Sequence, residues 1–488
     1  MMKKLAVTAS VIAGMLAASF SAFAQEAAVS ESADAPVVIT LEDALKIGLS
    51  ENVSVKVADM EIERTGFAKK GTYAALFPQI DASGSFQRTI KKQVMYMDFD
   101  MGALGGAAGG GSSEGGELPE GVEIPDASAD AGASSNGGGF EVGRWNNWSA
   151  GVSASMPLVN AQLWQSLKLS GLDVELAVEK ARSSRLDMVT QVKNAFYSVL
   201  MAKEAFDVYK QVYENAMQNL AETQKKYDAQ KASEMDLIRA KTTVANAVPN
   251  VYNAESSIIL ALWQLKAVLG VDLDMNLDVA GKLADHAEQM MRDINEGEEM
   301  SLDHNSTMKQ LAIQAEMLAQ SIKVQQYANI PSLAVAFNFS LNAMTNDFKF
   351  NQYRWTPYSF VALSLNIPIF AGGKRYQQIR QAKNQYEQVQ LQVTNTERQL
   401  KIAIRQSLAS METNMKSYYA AQDAVAAAQK GYDITEVSYK VGRSTLIELN
   451  DAQLALTQSR LAESQAIFNF LTAKAQLEQT LGQDFIAE

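Results

Sequence analysis

Four segments of this chain alternate apolar and polar residues with a period of two. In the first, Ile80, Ala82, Gly84 and Phe86 share one face and Asp81, Ser83, Ser85 and Gln87 the other. In the second, Trp148, Ala150, Val152, Ala154, Met156 and Leu158 oppose Ser149, Gly151, Ser153 and Ser155. In the third, Leu333, Val335, Phe337, Phe339 and Leu341 oppose Ala334, Ala336, Asn338 and Ser340, and in the fourth Val361, Leu363, Leu365, Ile367 and Ile369 oppose Ala362, Ser364 and Asn366. The pattern predicts strands at about 78–92, 145–158, 331–342 and 355–369. Alternation over about ten residues, with aromatics at the ends, is how a transmembrane barrel strand reads. It also fits a half-buried antiparallel strand of a soluble sandwich, and the alternation alone does not separate the two.

The rest of the chain carries a helical period. Residues 160–230 contain no proline and one glycine, Gly171. From Ile379, apolar residues recur at Ala382, Tyr386, Val389, Val393, Leu400, Ile404, Leu408, Met411, Met415 and Tyr418, in coiled-coil steps of three and four or their sums. The spacing predicts helices over 41–77 (with a break near Asn52), 160–230, 233–269, 301–329, 372–441 and 445–481. Thr40 and Asp43 read as the N-cap and capping-box partner of the first. A helix over 160–230 would be about 105 Å long, more than a compact domain needs. Its turn is expected near Lys231-Ala-Ser233, and the second turn at Gly442-Arg443-Ser444, with Gly442 as C-cap and Ser444 as N-cap.

These elements occur twice. Tyr227-Asp-Ala-Gln-Lys-Ala-Ser-Glu-Met-Asp-Leu-Ile-Arg-Ala240 matches Tyr439-Lys-Val-Gly-Arg-Ser-Thr-Leu-Ile-Glu-Leu-Asn-Asp-Ala452 at an offset of 212, and the same offset carries Leu269-Gly270 onto Leu481-Gly482. An offset of 211 carries Met156-Pro157-Leu158 onto Ile367-Pro368-Ile369. A period this long marks a duplicated half-structure rather than a solenoid, whose repeat is about 20–50 residues. Repeat one spans 41–270 and repeat two 301–482. The mixed, charged segment 271–300 separates them, with Asn276-Leu-Asp-Val279 as a short strand.

Composition adds the setting. Lys3 and Lys4, an apolar run from Leu5 to Phe20 and Ala22-Phe-Ala24 read as a secretory signal over residues 1–24. A loose leader over 25–40 follows it, and a tail over 483–488 ends the chain. The chain has no cysteine, so neither a disulfide nor a thiolate metal site is expected. Without Lys3 and Lys4 the net charge moves from −12 to −14, which argues against nucleic-acid binding and suits a cation-attracting interior. Between the first two strands, about 97–143 hold 14 of the 29 glycines, and no Lys or Arg occurs from Gln93 to Gly143. This reads as a flexible acidic loop, because its acids lack the regular spacing of a calcium loop. Two histidines, His286 and His304, and no clustered catalytic set argue against an enzyme; no cofactor is expected.

Four strands cannot span a bilayer alone, since both sheet edges would leave backbone groups unsatisfied in hydrocarbon. Single-chain barrels begin at about eight strands. The fold class expected is therefore a mixed α and β membrane protein in which several copies close one barrel. Helices with a wide apolar stripe, set side by side, form a hollow helical barrel below it. Carboxylates repeated around a narrow axis would bind cations there.

The chain resembles the outer membrane efflux proteins, the outer-membrane channel components of tripartite drug efflux pumps and type I secretion systems. The resemblance rests on Leu41-Glu-Asp-Ala-Leu-Lys-Ile-Gly-Leu49 with Asn52, on Phe77-Pro-Gln79, on Pro368-Ile-Phe-Ala-Gly-Gly373, on the two Tyr…Ala turn segments and on Leu-Gly at the end of each copy. It covers almost all of the chain after residue 24. It implies a homotrimer in the cell outer membrane, with a 12-stranded barrel continuous with a coiled-coil helical barrel in the periplasm. It also implies a passive exit duct that docks a periplasmic adaptor and an inner-membrane transporter, proton-driven or ATP-driven. The turns would be the periplasmic tip, with Tyr227, Gln230, Ser233, Tyr439, Gly442 and Ser444 docking the adaptor. Asp236, Glu448 and Asp451 would close the gate, with Arg239 and Arg443 beside them. Arg239 stands where copy two has Asp451, and Gln230 where it has Gly442, so an Asp451–Arg239 link across helices is conceivable and Asp236 is the weaker gate acid. Solvated charges on a helix surface remain the plainer reading of each. A coiled-coil adhesin with a β anchor is the competing function; it explains helices and strands but not strands in both halves of a duplication.

Overall fold

In a computed structural model the protein is described over residues 37–95, 140–287 and 301–483. The signal and most of the leader, the centre of the glycine-rich loop, the end of the inter-repeat segment and the C-terminal tail lie outside these residues. The elements in chain order are β1 (Val37–Ile39), α1 (Leu41–Glu51), α2 (Val53–Ala74), β2 (Gln79–Arg88), β3 (Gln93–Met95), β4 (Phe140–Val142), β5 (Asn146–Val159), α3 (Ala161–Asp228), α4 (Glu234–Leu269), β6 (Leu277–Val279), α5 (Ser306–Tyr327), β7 (Ser332–Thr345), β8 (Thr356–Asn366), α6 (Lys374–Lys440) and α7 (Leu446–Leu481). The chain divides into two units, one of Met1–Val57, Arg182–Asn305 and Arg398–Glu488, the other of Ala58–Ala181 and Ser306–Glu397.

The second unit contains the sheet. Its strands run in the order β2-β5-β7-β8, each antiparallel to its neighbour. Residues directly opposite one another share a face. The register therefore lines up Ile80, Ala154, Phe337 and Val361 on one side, and Ser83, Gly151 and Ser340 on the other. One face is thus apolar and the other is rich in Ser and Asn, with a Ser85–Ser149 hydroxyl pair at 2.7 Å. Tyr358 and Phe360 lie on the polar side, since Phe360 pairs with Asn338 and Tyr358 with Ser340. An ideal Cβ on Gly151 would lie 2.8 Å from the Phe339 carbonyl oxygen, which is why a glycine stands there. The register shifts between Pro157 and Val159, where proline has no N–H for the ladder. At the other end of the strands Phe86 and Trp148 stack with centroids 4.2 Å apart, and Phe350 approaches Trp148 at 4.8 Å.

Every residue of β2 is exposed, and β8 is almost as open. Among the described residues each has one strand neighbour, so both edges of the sheet are unpaired there. Among the described residues no helix is long and apolar enough to cross a membrane.

Several boundaries differ from the sequence reading. The first strand ends at Arg88, and residues 93–95 pair instead with 140–142 at the base of the glycine-rich insertion. The fourth ends at Asn366, two residues before Pro368. The leader is not loose to its end, because Val37–Ile39 pair in parallel with Leu277–Val279. The break expected near Asn52 is present: Asn52 ends α1, then accepts the N–H of Ser54 at 2.8 Å and starts α2. The helix of repeat two begins at Ser306 rather than near 301, since Asn305 is engaged elsewhere.

In the first unit, the main core gathers Leu45, Val192, Phe196, Leu200, Leu265, Leu269, Leu283 and Phe470, all nearly sealed from solvent. Two equivalent joints anchor it. Asn52 donates its amide to the Val268 carbonyl at 2.6 Å, and Asn305 donates to the Thr480 carbonyl at 2.6 Å. Each takes a carbonyl that the end of α4 or α7 leaves orphaned. Beside each joint a left-handed glycine ends the helix: Gly270 (φ +76) lies against Glu51, and Gly482 (φ +74) against His304.

On α6 the buried or half-buried positions continue beyond Tyr418 as Ala421, Val425, Ala428, Tyr432, Thr435 and Tyr439. That is an uninterrupted run of three- and four-residue steps, and it brings the helix to its turn.

Candidate functional site

The two turns are one structure built twice. At the end of α3, the Lys226 carbonyl accepts from Lys231 N–H (2.7 Å) and Ala232 N–H (3.2 Å), and Gln230 N–H donates to Tyr227. At the end of α6, the Ser438 carbonyl accepts from Arg443 N–H (2.8 Å) and Ser444 N–H (3.3 Å), and Gly442 N–H donates to Tyr439. The shared geometry requires a left-handed residue at the same place: Gly442 has φ +80 and Gln230 has φ +60. Gln230 is the one non-glycine residue with positive φ among the described residues, so copy one holds its turn at the cost of local strain.

The return helices begin with matching capping boxes. Ser233 accepts the N–H of Asp236 at 3.1 Å, while the Asp236 carboxylate accepts the Ser233 N–H and hydroxyl (3.3 and 2.7 Å). In copy two Thr445 accepts the N–H of Glu448 at 3.2 Å, and the Glu448 carboxylate accepts the Thr445 N–H at 2.9 Å. The N-cap is therefore Thr445, not Ser444. Ser444 is still inside the turn, donating its N–H to Ser438, and the 212 offset places Thr445, not Ser444, on Ser233.

The nominated residues thus separate. Asp236 and Glu448 each bond to their own cap. Asp451, Arg239 and Arg443 are exposed. Among the described residues Asp451 and Arg239 are not joined by an ion pair within the chain, so the link between them is not made inside one protomer. Tyr227 is 37% exposed, whereas its counterpart Tyr439 is 6% exposed.

Tyr439 is where the two hairpins meet, and its partners were not visible in the sequence. Its hydroxyl lies 2.6 Å from that of Thr223, which is fully buried and donates to the Asn219 carbonyl at 2.7 Å. The Thr223 proton being so used, the Tyr439 hydroxyl donates to Thr223 Oγ1. Lys226 donates to the Tyr439 carbonyl at 2.5 Å with its Nζ 4.0 Å from the Tyr439 ring centroid. Beneath lies a small core of Ala240, Tyr432, Tyr439, Leu446, Leu449 and Leu456. Burial pushes the Tyr432 hydroxyl up to about 12, helped by Glu436 and Asp433 and opposed by a hydrogen bond with Asn219.

Further along, polar pairs continue to join the hairpins. Asn450 donates to Thr243 (3.2 Å), Asn215 to Gln453 (2.9 Å), Arg460 to Gln211, and Ser464 to Glu204 (2.7 Å). Glu463 beside the last pair is raised above the usual carboxylate range, first by burial and then by the charge of Glu204. Among the described residues no set of three metal-binding side chains gathers.

A sequence model for the family described as "Outer membrane efflux protein" matches residues 125–271 and 299–483. The chain is 20% identical over 356 residues to Outer membrane protein TolC of Escherichia coli strain K12, covering 70% of this chain and 71% of that one. It is 22% identical over 349 residues to the Proteases secretion protein PrtF of Dickeya chrysanthemi, covering 69% and 73%. Among solved structures, the Campylobacter jejuni CmeC outer membrane channel shares the fold, with a TM-score of 0.66 at 17% identity over 91% of this chain and 85% of that one.

Proposed function

We propose that this chain, which belongs to the outer membrane efflux protein family, closes its exit duct at the paired turns at the ends of α3 and α6. The protein is a channel of the cell outer membrane. Three chains, each bringing a four-stranded sheet, complete the barrel, and their helical hairpins form the periplasmic tunnel. The duct is passive: a periplasmic adaptor docks on it and an inner-membrane transporter supplies the energy, for drug efflux or type I secretion. The observation that carries this is the sheet, whose two edges are unpaired while one face is apolar and the other polar. Such a sheet is stable in hydrocarbon only when other copies close it. The test is recovery of the protein from outer-membrane fractions as a heat-stable trimer that forms pores in planar bilayers. A monomer, or a trimer without conductance, would overturn the reading.

Within that duct, Asp451 and Glu448 ring the constriction at the turn of repeat two, with Arg443 at its rim. Asp236 and Arg239 are their counterparts in repeat one, and Arg239 of one chain reaches Asp451 of the next. Tyr227, Gln230 and Ser233, with Tyr439, Gly442 and Ser444, mark the two tips that receive the adaptor. Tyr439, held by Thr223 and Lys226, is the latch that keeps the turn of repeat two against repeat one.

A further inference from the structure

The molecule contains one junction between hairpins and implies another. Inside the chain, hairpin two (α6 and α7) lies against hairpin one (α3 and α4) through Tyr439 on Thr223 and Lys226, Asn450 on Thr243, and Ser464 on Glu204. The hairpins are two copies of one unit related by a 212-residue offset. Three chains therefore present six such units, alternating around one axis. A contact that joins unlike faces closes into a ring when its rotation closes, and repeating the internal junction at every step is the arrangement the duplication favours. In that ring the face of hairpin one that meets no hairpin inside the chain meets hairpin two of a second copy. The partners follow by shifting each side of the internal junction by 212 residues.

We infer that the seam between protomers is formed by Tyr227 against Thr435 and Ser438, Ile238 against Ala455, and Tyr252 against Lys416 of the adjoining copy, reproducing the internal junction in register. This rests on the trimeric channel reading above. Three observations support it beyond the arithmetic. First, the residues the shift selects on hairpin one are large and uncovered: Tyr227 is 37% exposed, Ile238 51% and Tyr252 64%. Isolated exposure of an apolar side chain is ordinary, but three at the counterparts of buried or bonded positions are not. Second, the residues selected on hairpin two are of matching size and chemistry. Ala455 is small opposite Ile238. Thr435 keeps the hydroxyl of Thr223 opposite the Tyr227 phenol, and it already donates to the Gly431 carbonyl as Thr223 does to Asn219. Lys416, paired with Glu412 at 2.7 Å along its own helix, places a cation opposite the Tyr252 ring, the combination of a cation–π pair. Third, the substitution pattern changes the character of the seam in one direction. Asn450–Thr243 becomes Ile238–Ala455, and Glu204–Ser464 becomes Lys416–Tyr252, so two polar pairs are replaced by contacts built on apolar surface.

One element of the internal junction has no counterpart. Lys226, which clasps the Tyr439 carbonyl, shifts onto Ser438, whose side chain is too short to reach across. The seam between copies therefore lacks the cationic clasp.

The chain has no cysteine, so introduced pairs report without background. Cysteines that bridge directly need Cα atoms within about 7 Å. The experiment uses the full-length protein in membranes, oxidised and run on non-reducing gels, with Ile238→Cys combined with Ala455→Cys. The expected result is loss of the monomer band into linked dimers and trimers, reversed by reductant. Co-expressing the two single variants is expected to give dimers only. Thr243→Cys with Asn450→Cys is expected to link within the chain and leave the mass of a monomer. Ile238→Cys with Ala462→Cys, displaced along α7 by about 10 Å, is expected to link nothing. Tyr227→Cys with Thr435→Cys, joined by a short bismaleimide because tyrosine spans a wider gap, gives a second and independent reading of the register. Intact heat-stable trimers in which neither in-register pair links between chains would overturn the seam and leave the channel reading standing. Failure of the unsubstituted protein to form trimers would overturn both.

Discussion

Replacing Lys226 with methionine tests whether the buried Tyr439 junction holds the mouth shut. Methionine keeps the apolar stem but removes the ammonium, and with it a hydrogen bond of 2.5 Å to the Tyr439 carbonyl and a cation placed 4.0 Å from the ring centroid. A hydrogen bond from a charged donor contributes about 1.5–3 kcal/mol net, and a partly exposed cation–π contact about 0.5–1 kcal/mol. Lys226 is half-buried, so about 2 kcal/mol per junction is a fair figure. The backbone of Lys226 still accepts from Lys231 and Ala232, so the turn itself should survive. If the three junctions loosen independently, each shifts toward the open form by about thirtyfold. If they loosen together, the shift is about 3 × 10⁴-fold, which corresponds to about 6 kcal/mol. Single-channel recording in planar bilayers should then show a larger mean conductance and longer open dwell times for Lys226→Met. Lys225→Met, which alters an exposed neighbour, should match the unsubstituted channel. Identical conductance and identical thermal stability for the two variants would refute the latch.

Four further outcomes are expected. Because Glu448 belongs to a capping box, Glu448→Ala would confound charge with helix stability; Glu448→Gln keeps the cap, and together with Asp451→Asn it should raise conductance and weaken block by divalent cations, which unchanged block would contradict. Gly482→Ala drives a Cβ into the His304 carbonyl at φ +74, so a loss of several kcal/mol should show as failure to recover folded trimer. Gln230→Gly relieves a left-handed side chain, worth about 1 kcal/mol, and should raise the thermal midpoint slightly where Gly442→Ala lowers it. Glu463 is raised by burial and by Glu204, so the folded state binds its proton more tightly than the unfolded chain, and the stability linked to that proton is lost as pH rises from about 4.5 through the folded value; Glu463→Gln should therefore stabilise the protein at pH 7, with the gain shrinking toward zero in acid.

What could be read from the chain beforehand follows the length scale of each interaction. Barrel strands alternate because their two faces meet different solvents, so Ile80 to Phe86 and Val361 to Leu365 disclose themselves residue by residue. The turns were legible because a duplicated sequence aligns with itself, and that alignment could have corrected Ser444 to Thr445, since Ser233 maps onto Thr445. The capping role of Asp236 and Glu448 was also legible, as Ser-x-x-Asp and Thr-x-x-Glu ahead of apolar runs. The pairing of Tyr439 with Thr223 was not. Those residues are 216 apart, and which faces of two long helices meet depends on supercoil phase, to which a heptad pattern is nearly indifferent. Asn305 escaped for a different reason. It repeats the joint that Asn52 makes with the end of a return helix, but the two asparagines are 253 residues apart, whereas the return helices are 212 apart, so an alignment at one offset could not superpose them.

That mismatch of offsets bears on how the mouth can move. Asn52 and Asn305 grip Val268 and Thr480 in the same way, and the glycines beside them leave no space for adjustment. The upper ends of both return helices are thus fixed alike. At the lower ends the copies diverge: Gly442 relaxes one turn while Gln230 strains the other, and Tyr439 is buried while Tyr227 is open. A hairpin clamped equally at one end and held unequally at the other bends where the holding is weaker, so opening should be a displacement of the turns about joints that stay shut. Spin labels or cysteine pairs placed beside Asn52–Val268 and Asn305–Thr480 should report the same distances in the resting and adaptor-engaged channel, while labels at Asp228 and Lys440 move apart. Movement at the asparagine joints of the same size as at the turns would show that the whole hairpin tilts, and the latch at Tyr439 would then not be the element that decides opening.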